Sequence, residues 1–177
     1  PVGWLVSEWV LPTLALSVPV TAATWMHFGV LCLLLLMTFM GGRLIAPAAA
    51  GTLEKKGVPL EARVQPRLEA ILILTLIPAA LFYLVPPARP LTGILLLVAG
   101  SVIAIRTLRW KLWLCPERPD LLILGLGYIW LAIGSLATGL TLLQGESPAA
   151  SLHLLTIGAL GTLSTSIMLR LHYQRRD

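Results

Sequence analysis

Two histidines are the residues of this sequence best suited to chemistry. His27 opens the apolar stretch HFGVLCLLLLMTFMGGR, and His153 lies near the start of SLHLLTIGALGTLSTSIMLR. Each stretch ends on an arginine, Arg43 or Arg170, after a nearly equal number of residues. At about 1.5 Å of rise per helical residue, each histidine lies roughly 24–26 Å from its arginine. The two imidazoles are therefore expected at matching depth.

Small residues accompany both histidines. Gly29 follows His27, and Gly158 and Gly161 follow His153 within about two helical turns. Neutral imidazoles bind haem iron, and glycines leave room beside a helix for the flat porphyrin. The pattern favours one b-type haem with His27 and His153 as its axial metal ligands. An alternative stays open, in which each histidine only hydrogen-bonds a neighbouring helix or a lipid headgroup.

Haem carboxylates would need polar partners at the same depth as the histidines. Arg89 is the best candidate, since a guanidinium pairs well with a carboxylate, and Trp25 is a second one. Arg89 could equally be an ordinary loop residue. The soft donors Met26, Cys32 and Met168 suit copper, but they form no spaced cluster with the histidines.

The composition is that of an integral membrane protein. Of 177 residues, 57% are hydrophobic and only 12% are charged. Apolar runs of this length predict an all-α, polytopic membrane bundle of about five or six transmembrane helices in a single domain, residues 1–177. We expect the helices at about 4–20, 24–45, 68–85, 91–105, 121–143 and 151–171. Glu8 and Pro12 weaken the first of these as a full span.

The basic residues predict the orientation. If the helices alternate, every Lys and Arg except Arg89 falls on one side: Arg43, Lys55, Lys56, Arg63, Arg67, Arg106, Arg109, Lys111, Arg118, Arg170, Arg175 and Arg176. The positive-inside rule makes that side, and the C-terminus, cytoplasmic. His27 and His153 then lie near the outer face. The basic residues sit at helix ends rather than in one patch, so we expect no nucleic-acid partner.

The predicted helix at 121–143 carries small residues at a seven-residue spacing. Gly125, Ala132 and Gly139 form a narrow seam, which predicts close packing against another helix. The sequence contains no HExxH, phosphate-binding loop, nucleophile triad or paired carboxylates. Hydrolase and kinase chemistry are therefore excluded.

Three stretches of the chain resemble the NnrS family. They are MTFMGGRLIAP (residues 37–47), the connection RTLRWKLWLCPERPDLLILGLGYIWLAIG, and SLHLLTIGALGTLSTSIMLR (residues 151–170). In order and spacing they are similar to the C-terminal half of that family. Its members are bacterial inner-membrane proteins described as binding haem and copper and associated with nitric oxide metabolism. They are longer than this chain, which begins at Pro1, so we expect a half-length relative or a fragment.

These observations lead to one functional hypothesis and two alternatives. We expect a haem-binding protein that acts in electron transfer or nitric oxide handling, rather than an enzyme by itself. Its partners would be the lipid bilayer, other subunits of a respiratory or denitrification complex, and quinol or nitric oxide as small ligands. The first alternative is a cofactor-free accessory subunit of a larger membrane complex. The second is a transporter, which would call for more intramembrane charges or broken helices.

Overall fold

The structure, a computed structural model, describes residues 21–58 and 65–164. Within these residues all regular elements are helical: α1 (Ala22–Lys55), α2 (Pro66–Tyr83), α3 (Arg89–Arg109), α4 (Pro119–Leu143) and α5 (Ala149–His153), which continues as a π-helix over Leu154–Gly161. The predicted all-α class is confirmed. The predicted helix at about 4–20 and the last part of the one at 151–171 lie outside the described residues.

The helices begin and end at residues suited to those positions. Pro66, Pro90 and Pro119 lie in the first turns of α2, α3 and α4, where the backbone N–H that proline lacks would have no helical partner. Gly57 and Gly145 follow the ends of α1 and α4 with φ of 71° and 73°. Glycine adopts this left-handed conformation without steric cost, so it stops the helix and turns the chain.

Helix α1 is longer than expected. It ends at Lys55 instead of near residue 45 and carries Pro47 inside it. The extension packs small or apolar side chains into the bundle, with Ala46, Ala49 and Leu53 all buried. Residues 46–50 are Ala-Pro-Ala-Ala-Ala, and alanine has the highest helix propensity. Burial of this face adds the tertiary packing that keeps the helix intact past Pro47.

Among the described helices, α3 and α4 make the most extensive contact, and glycines allow their close approach. A Cβ atom on Gly93 would lie 2.9 Å from the carbonyl oxygen of Gly139, and a Cβ on Gly139 would lie 2.8 Å from that of Gly93. No residue larger than glycine fits at either position without a shift of the backbone. The seam predicted on α4 is therefore filled by the same chain, by α3 at Ala132 and Gly139 and by Leu112 of the connection after α3 at Gly125, and all three residues are buried.

Four segments are long and apolar enough to cross a membrane: Ala22–Lys55, Pro66–Tyr83, Pro86–Leu114 and Pro119–Leu143. The apolar helix Ala149–Ser164 is shorter within the described residues. Large apolar side chains such as Met26, Leu74 and Leu108 point out of the bundle. An apolar exterior of this kind is stable in lipid and not in water.

Candidate functional site

A cavity of about 410 Å³ lies at one end of the bundle. It is formed by the start of α1, the end of α2, the start of α3 and the connection from α4 to α5. Its lining residues are Thr21, Ala23, Thr24, His27, Tyr83, Pro86, Arg89, Pro90, Leu142, Gly145, Glu146, Ser147 and Pro148. We call this end of the bundle the His27 end. Ligand pockets in proteins have volumes of about 300–1,000 Å³, so the cavity can hold a small molecule or part of a larger one.

The His27 side chain is held in this cavity by a hydrogen bond to Tyr83. Nδ1 of His27 lies 2.7 Å from the Tyr83 hydroxyl oxygen, and the two rings meet edge to face with centroids 5.8 Å apart. When Nδ1–H donates to the hydroxyl, Nε2 keeps its lone pair. That is the tautomer in which a histidine binds a metal while its other nitrogen is fixed by a neighbour.

Arg89 brings positive charge to the same cavity. Its guanidinium carbon lies 5.4 Å from the centroid of the Tyr83 ring, within the range of a cation–π contact. The Nε atom of Arg89 is buried and has no hydrogen-bond partner among the described residues. A buried N–H donor without a partner is costly, so an acceptor in this cavity would be stabilising.

The second predicted ligand, His153, lies outside the cavity. It is the last residue of α5, and its side chain is exposed. Helix α5 is attached beside the end of α4, where the Ser151 and Thr141 hydroxyl oxygens lie 3.1 Å apart. The structure thus places Arg89, but not His153, beside His27 in this cavity.

Trp25 also lies near the cavity without lining it. Its ring meets Phe28 edge-on, with centroids 6.0 Å apart. The indole Nε1 is buried and has no hydrogen-bond partner within residues 21–58 and 65–164. Trp25 therefore retains a free donor, although it does not reach the space shared by His27 and Arg89.

The three glycines proposed to flank a porphyrin differ in their surroundings. A Cβ atom added to Gly29 or Gly161 would meet no atom of residues 21–58 and 65–164 within 4 Å. A Cβ on Gly158 would lie 3.0 Å from the ring of Trp130 on α4. Gly158 thus makes room for an indole of the same chain.

The metal-binding groups in the described residues are few. No cluster of three or more His, Cys, Asp or Glu side chains occurs in residues 21–58 and 65–164. Cys32 is exposed, as is Met26, and Met168 lies outside the described residues. Copper binding through Met26, Cys32 and Met168 stays a prediction. A haem needs only one or two axial side chains and a carboxylate partner, and His27 with Arg89 fits that smaller requirement.

Two polar contacts of the structure, at Tyr83 and at Arg106, were not predicted from the sequence. Tyr83, the partner of His27, had no motif to single it out, although it is a polar aromatic residue at the expected depth of the histidines. Arg106 was assigned to the row of topology-determining cations. Its side chain is also buried and paired with Glu69, with 2.5 Å between Nη2 and Oε1. The glycine pair Gly41 and Gly42 could have indicated a close neighbour, because Cβ atoms there would collide with Tyr128 and Arg106.

Comparison with protein families agrees with the fold and with the sequence resemblance. The family model described as NnrS protein matches residues 2–176, nearly the whole chain. A search of curated proteins and a search of solved structures each find no match. The helices are long and apolar enough to cross a membrane, as the resemblance implied. The chain therefore belongs to the NnrS family, a family of membrane proteins linked to nitric oxide.

Proposed function

We propose that this chain binds one b-type haem at the His27 end of the bundle, with His27 as an axial ligand. The observation that carries the proposal is the hydrogen bond between His27 and Tyr83 inside a 410 Å³ cavity that also contains Arg89. An imidazole fixed through Nδ1 presents Nε2 in a defined direction. The guanidinium supplies the charge that a haem carboxylate requires.

Each side chain of the site has one role in this proposal. Tyr83 accepts the Nδ1–H of His27 and sets the ring's orientation and tautomer. Arg89 donates its unpartnered Nε–H to a propionate. At Gly29 the described residues leave space beside α1 for the macrocycle, and Gly158 and Gly161 are the small residues that follow His153. When bound, the haem supplies one-electron transfer and an iron centre at which small gases bind.

His153 is the proposed second axial ligand. Its exposed side chain is unobstructed on α5, a helix that begins at the His27 end, beside the end of α4. The π-helix that follows it, Leu154–Gly161, is a rare conformation that is found frequently at functional sites. Two histidines would make the iron low-spin and six-coordinate. A single ligand, His27, would leave one iron position for a gas.

The wider role follows from the family and from the charge distribution. We infer action in electron transfer or nitric oxide handling, as a subunit of a respiratory or denitrification complex, with quinol or nitric oxide as small ligands. The basic residues at the end of the bundle opposite His27 support an inner-membrane orientation with the C-terminus in the cytoplasm. His27 would then face the periplasmic side.

The proposal is tested by purifying the protein, recording a pyridine haemochrome spectrum for the type and amount of haem, and recording the absorption spectrum of the native protein for the coordination of the iron. We expect a b-type spectrum in the wild type and its loss in His27→Ala. In His153→Ala we expect loss of the haem or a change from a six-coordinate to a five-coordinate absorption spectrum. His172→Ala is the matched control, since it removes the third histidine of the sequence, and it should keep the wild-type spectrum. An unchanged spectrum in both His27→Ala and His153→Ala would end the assignment.

A colourless wild type would favour a different function. If the protein takes up no haem during expression with excess haem, or during reconstitution, the cofactor-free accessory subunit becomes the better explanation. His27 and Tyr83 would then serve to join α1 to α2 through their hydrogen bond.

A further inference from the structure

A second polar cluster lies inside the bundle, about three helical turns along α1 from His27. It joins Thr38 of α1, Glu69 of α2 and Arg106 of α3. The Arg106 guanidinium donates to the Glu69 carboxylate, with 2.5 Å between Nη2 and Oε1. Arg106 is only 3% exposed, whereas the Glu69 side chain is 30% exposed. Ionisable groups within a membrane bundle are costly, so such a cluster calls for a role.

Two buried polar atoms of this cluster have no partner. The Thr38 hydroxyl and the Nε–H of Arg106 make no hydrogen bond to any of the described residues, and both residues are at least nine-tenths buried. The centroid of the neighbouring Trp110 ring lies 5.5 Å from the Arg106 guanidinium, and its Nε1 has no hydrogen-bond partner in residues 21–58 and 65–164. Buried polar groups in folded proteins almost always have a partner, either from the protein or from ordered water.

A small cavity is lined by Thr38 and Arg106, the two residues of the cluster that carry these atoms, but not by Trp110. The space within it that is open to the centre of a water molecule is about 10 Å³. Its polar walls are Thr38, Glu69 and Arg106, and its apolar walls are Leu35, Phe39, Leu72, Ile73 and Leu76. This volume is close to the minimum for one water molecule, and a buried water typically makes about three hydrogen bonds.

We propose that this cavity binds one ordered water that joins Thr38, Glu69 and Arg106. The water accepts a hydrogen bond from Arg106 Nε–H, donates one to the Glu69 carboxylate and shares a third with the Thr38 hydroxyl. Tyr128 of α4 already donates to the Thr38 carbonyl oxygen at 2.6 Å. The water therefore completes a polar network that joins four helices and runs from the partly exposed Glu69 to the interior. Formation of this network does not require bound haem.

Whether the substitution Thr38→Val lowers or raises the thermal midpoint tests this proposal. Thr38→Val keeps the shape of the side chain and removes the hydroxyl. If the water is present, the substitution deprives it of a partner, and we expect the thermal midpoint of the full chain in nanodiscs to fall by about 2–4 °C. If the cavity is dry, removal of an unpartnered hydroxyl leaves the midpoint unchanged or raises it, and that result would overturn the proposal. Thr107→Val is the matched control, because the buried Thr107 hydroxyl already bonds Ile103 within its own helix at 2.8 Å.

Infrared spectroscopy gives an independent readout. The difference between spectra in ordinary water and in ¹⁸O-labelled water should show a band from an internal water. We expect that band to be lost in Thr38→Val and kept in Thr38→Ser and Thr107→Val; its persistence in Thr38→Val would refute the assignment.

If Thr38→Val fails to fold, a high-resolution map of the wild-type protein tests the proposal. Density between the Thr38 hydroxyl and Arg106 Nε supports the water, and no density there overturns it.

Discussion

Tyr83, the last residue of α2, lies 2.7 Å from Nδ1 of His27 in the second turn of α1. These residues are far apart in sequence and belong to neighbouring antiparallel helices. Tyr83 is almost completely buried, so its hydroxyl has few competing partners. The contact fixes one imidazole of the candidate haem site and makes the role of that imidazole testable without removing it.

The substitution Tyr83→Phe should weaken haem binding while leaving His27 in place. Loss of a hydrogen bond to a metal-ligating histidine typically lowers metal affinity by about 10–100-fold. Titration of the apoprotein with haem, followed by absorption spectroscopy, measures the change. Phe82→Leu is the control, because Phe82 is exposed and does not line the cavity. An affinity equal to that of the wild type would show that Tyr83 does not orient the ligand.

Substitution of Gly29 should affect haem binding without lowering folding stability. A Cβ atom at Gly29 meets nothing within 4 Å, so Gly29→Leu should leave the thermal midpoint of the haem-free protein unchanged or raise it. If the macrocycle occupies that open space, the same variant should retain less haem per protein after purification. Full haem content in Gly29→Leu would place the macrocycle elsewhere, and Gly161→Leu repeats the test on the other helix.

Gly42→Ala should destabilise the bundle. A Cβ there would lie 2.5 Å from the guanidinium carbon of Arg106, a buried side chain that cannot move freely. Overpacking of this kind typically costs about 1–3 kcal/mol. Gly51→Ala is the matched control on the same helix, since its Cβ would meet no atom within 4 Å, and it should gain up to about 1 kcal/mol from helix propensity. Unfolding curves in mixed detergent micelles compare the two, and equal stabilities would contradict the packing described.

Breaking the buried ion pair should cost more than breaking an exposed one. Glu69→Gln leaves Arg106 charged inside the bundle, and removal of one partner of a buried pair costs about 3–5 kcal/mol. We expect about 2–3 kcal/mol here, because the Glu69 side chain is partly exposed. Asp120→Asn breaks the more exposed pair with Arg118 and should cost less than about 1 kcal/mol. The same unfolding assay measures both, and a Glu69→Gln variant as stable as Asp120→Asn would mean that water already screens the pair.

Much of the helical architecture could be predicted from the sequence. The starts of α2, α3 and α4 fall within about two residues of the predicted ones, because proline at a helix start and a long apolar run are local signals. The predicted end of α1, near residue 45, was wrong, because the helix continues to Lys55. This continuation buries Ala46, Ala49 and Leu53 against neighbouring helices. Local composition carries no information about those neighbours.

The sequence by itself determined the membrane class, the helical fold and the approximate levels of His27 and Arg89, because these follow from chain length, hydrophobicity and the positions of charges. Only the tertiary structure decided which side chains meet. It paired His27 with Tyr83, placed Arg106 against Glu69 and left His153 exposed. The physical reason is that helices α1 and α2 are apolar on all sides, so no polar stripe in the sequence encodes their rotation about the helix axis. That rotation is set by the glycine contacts and the polar pairs between helices.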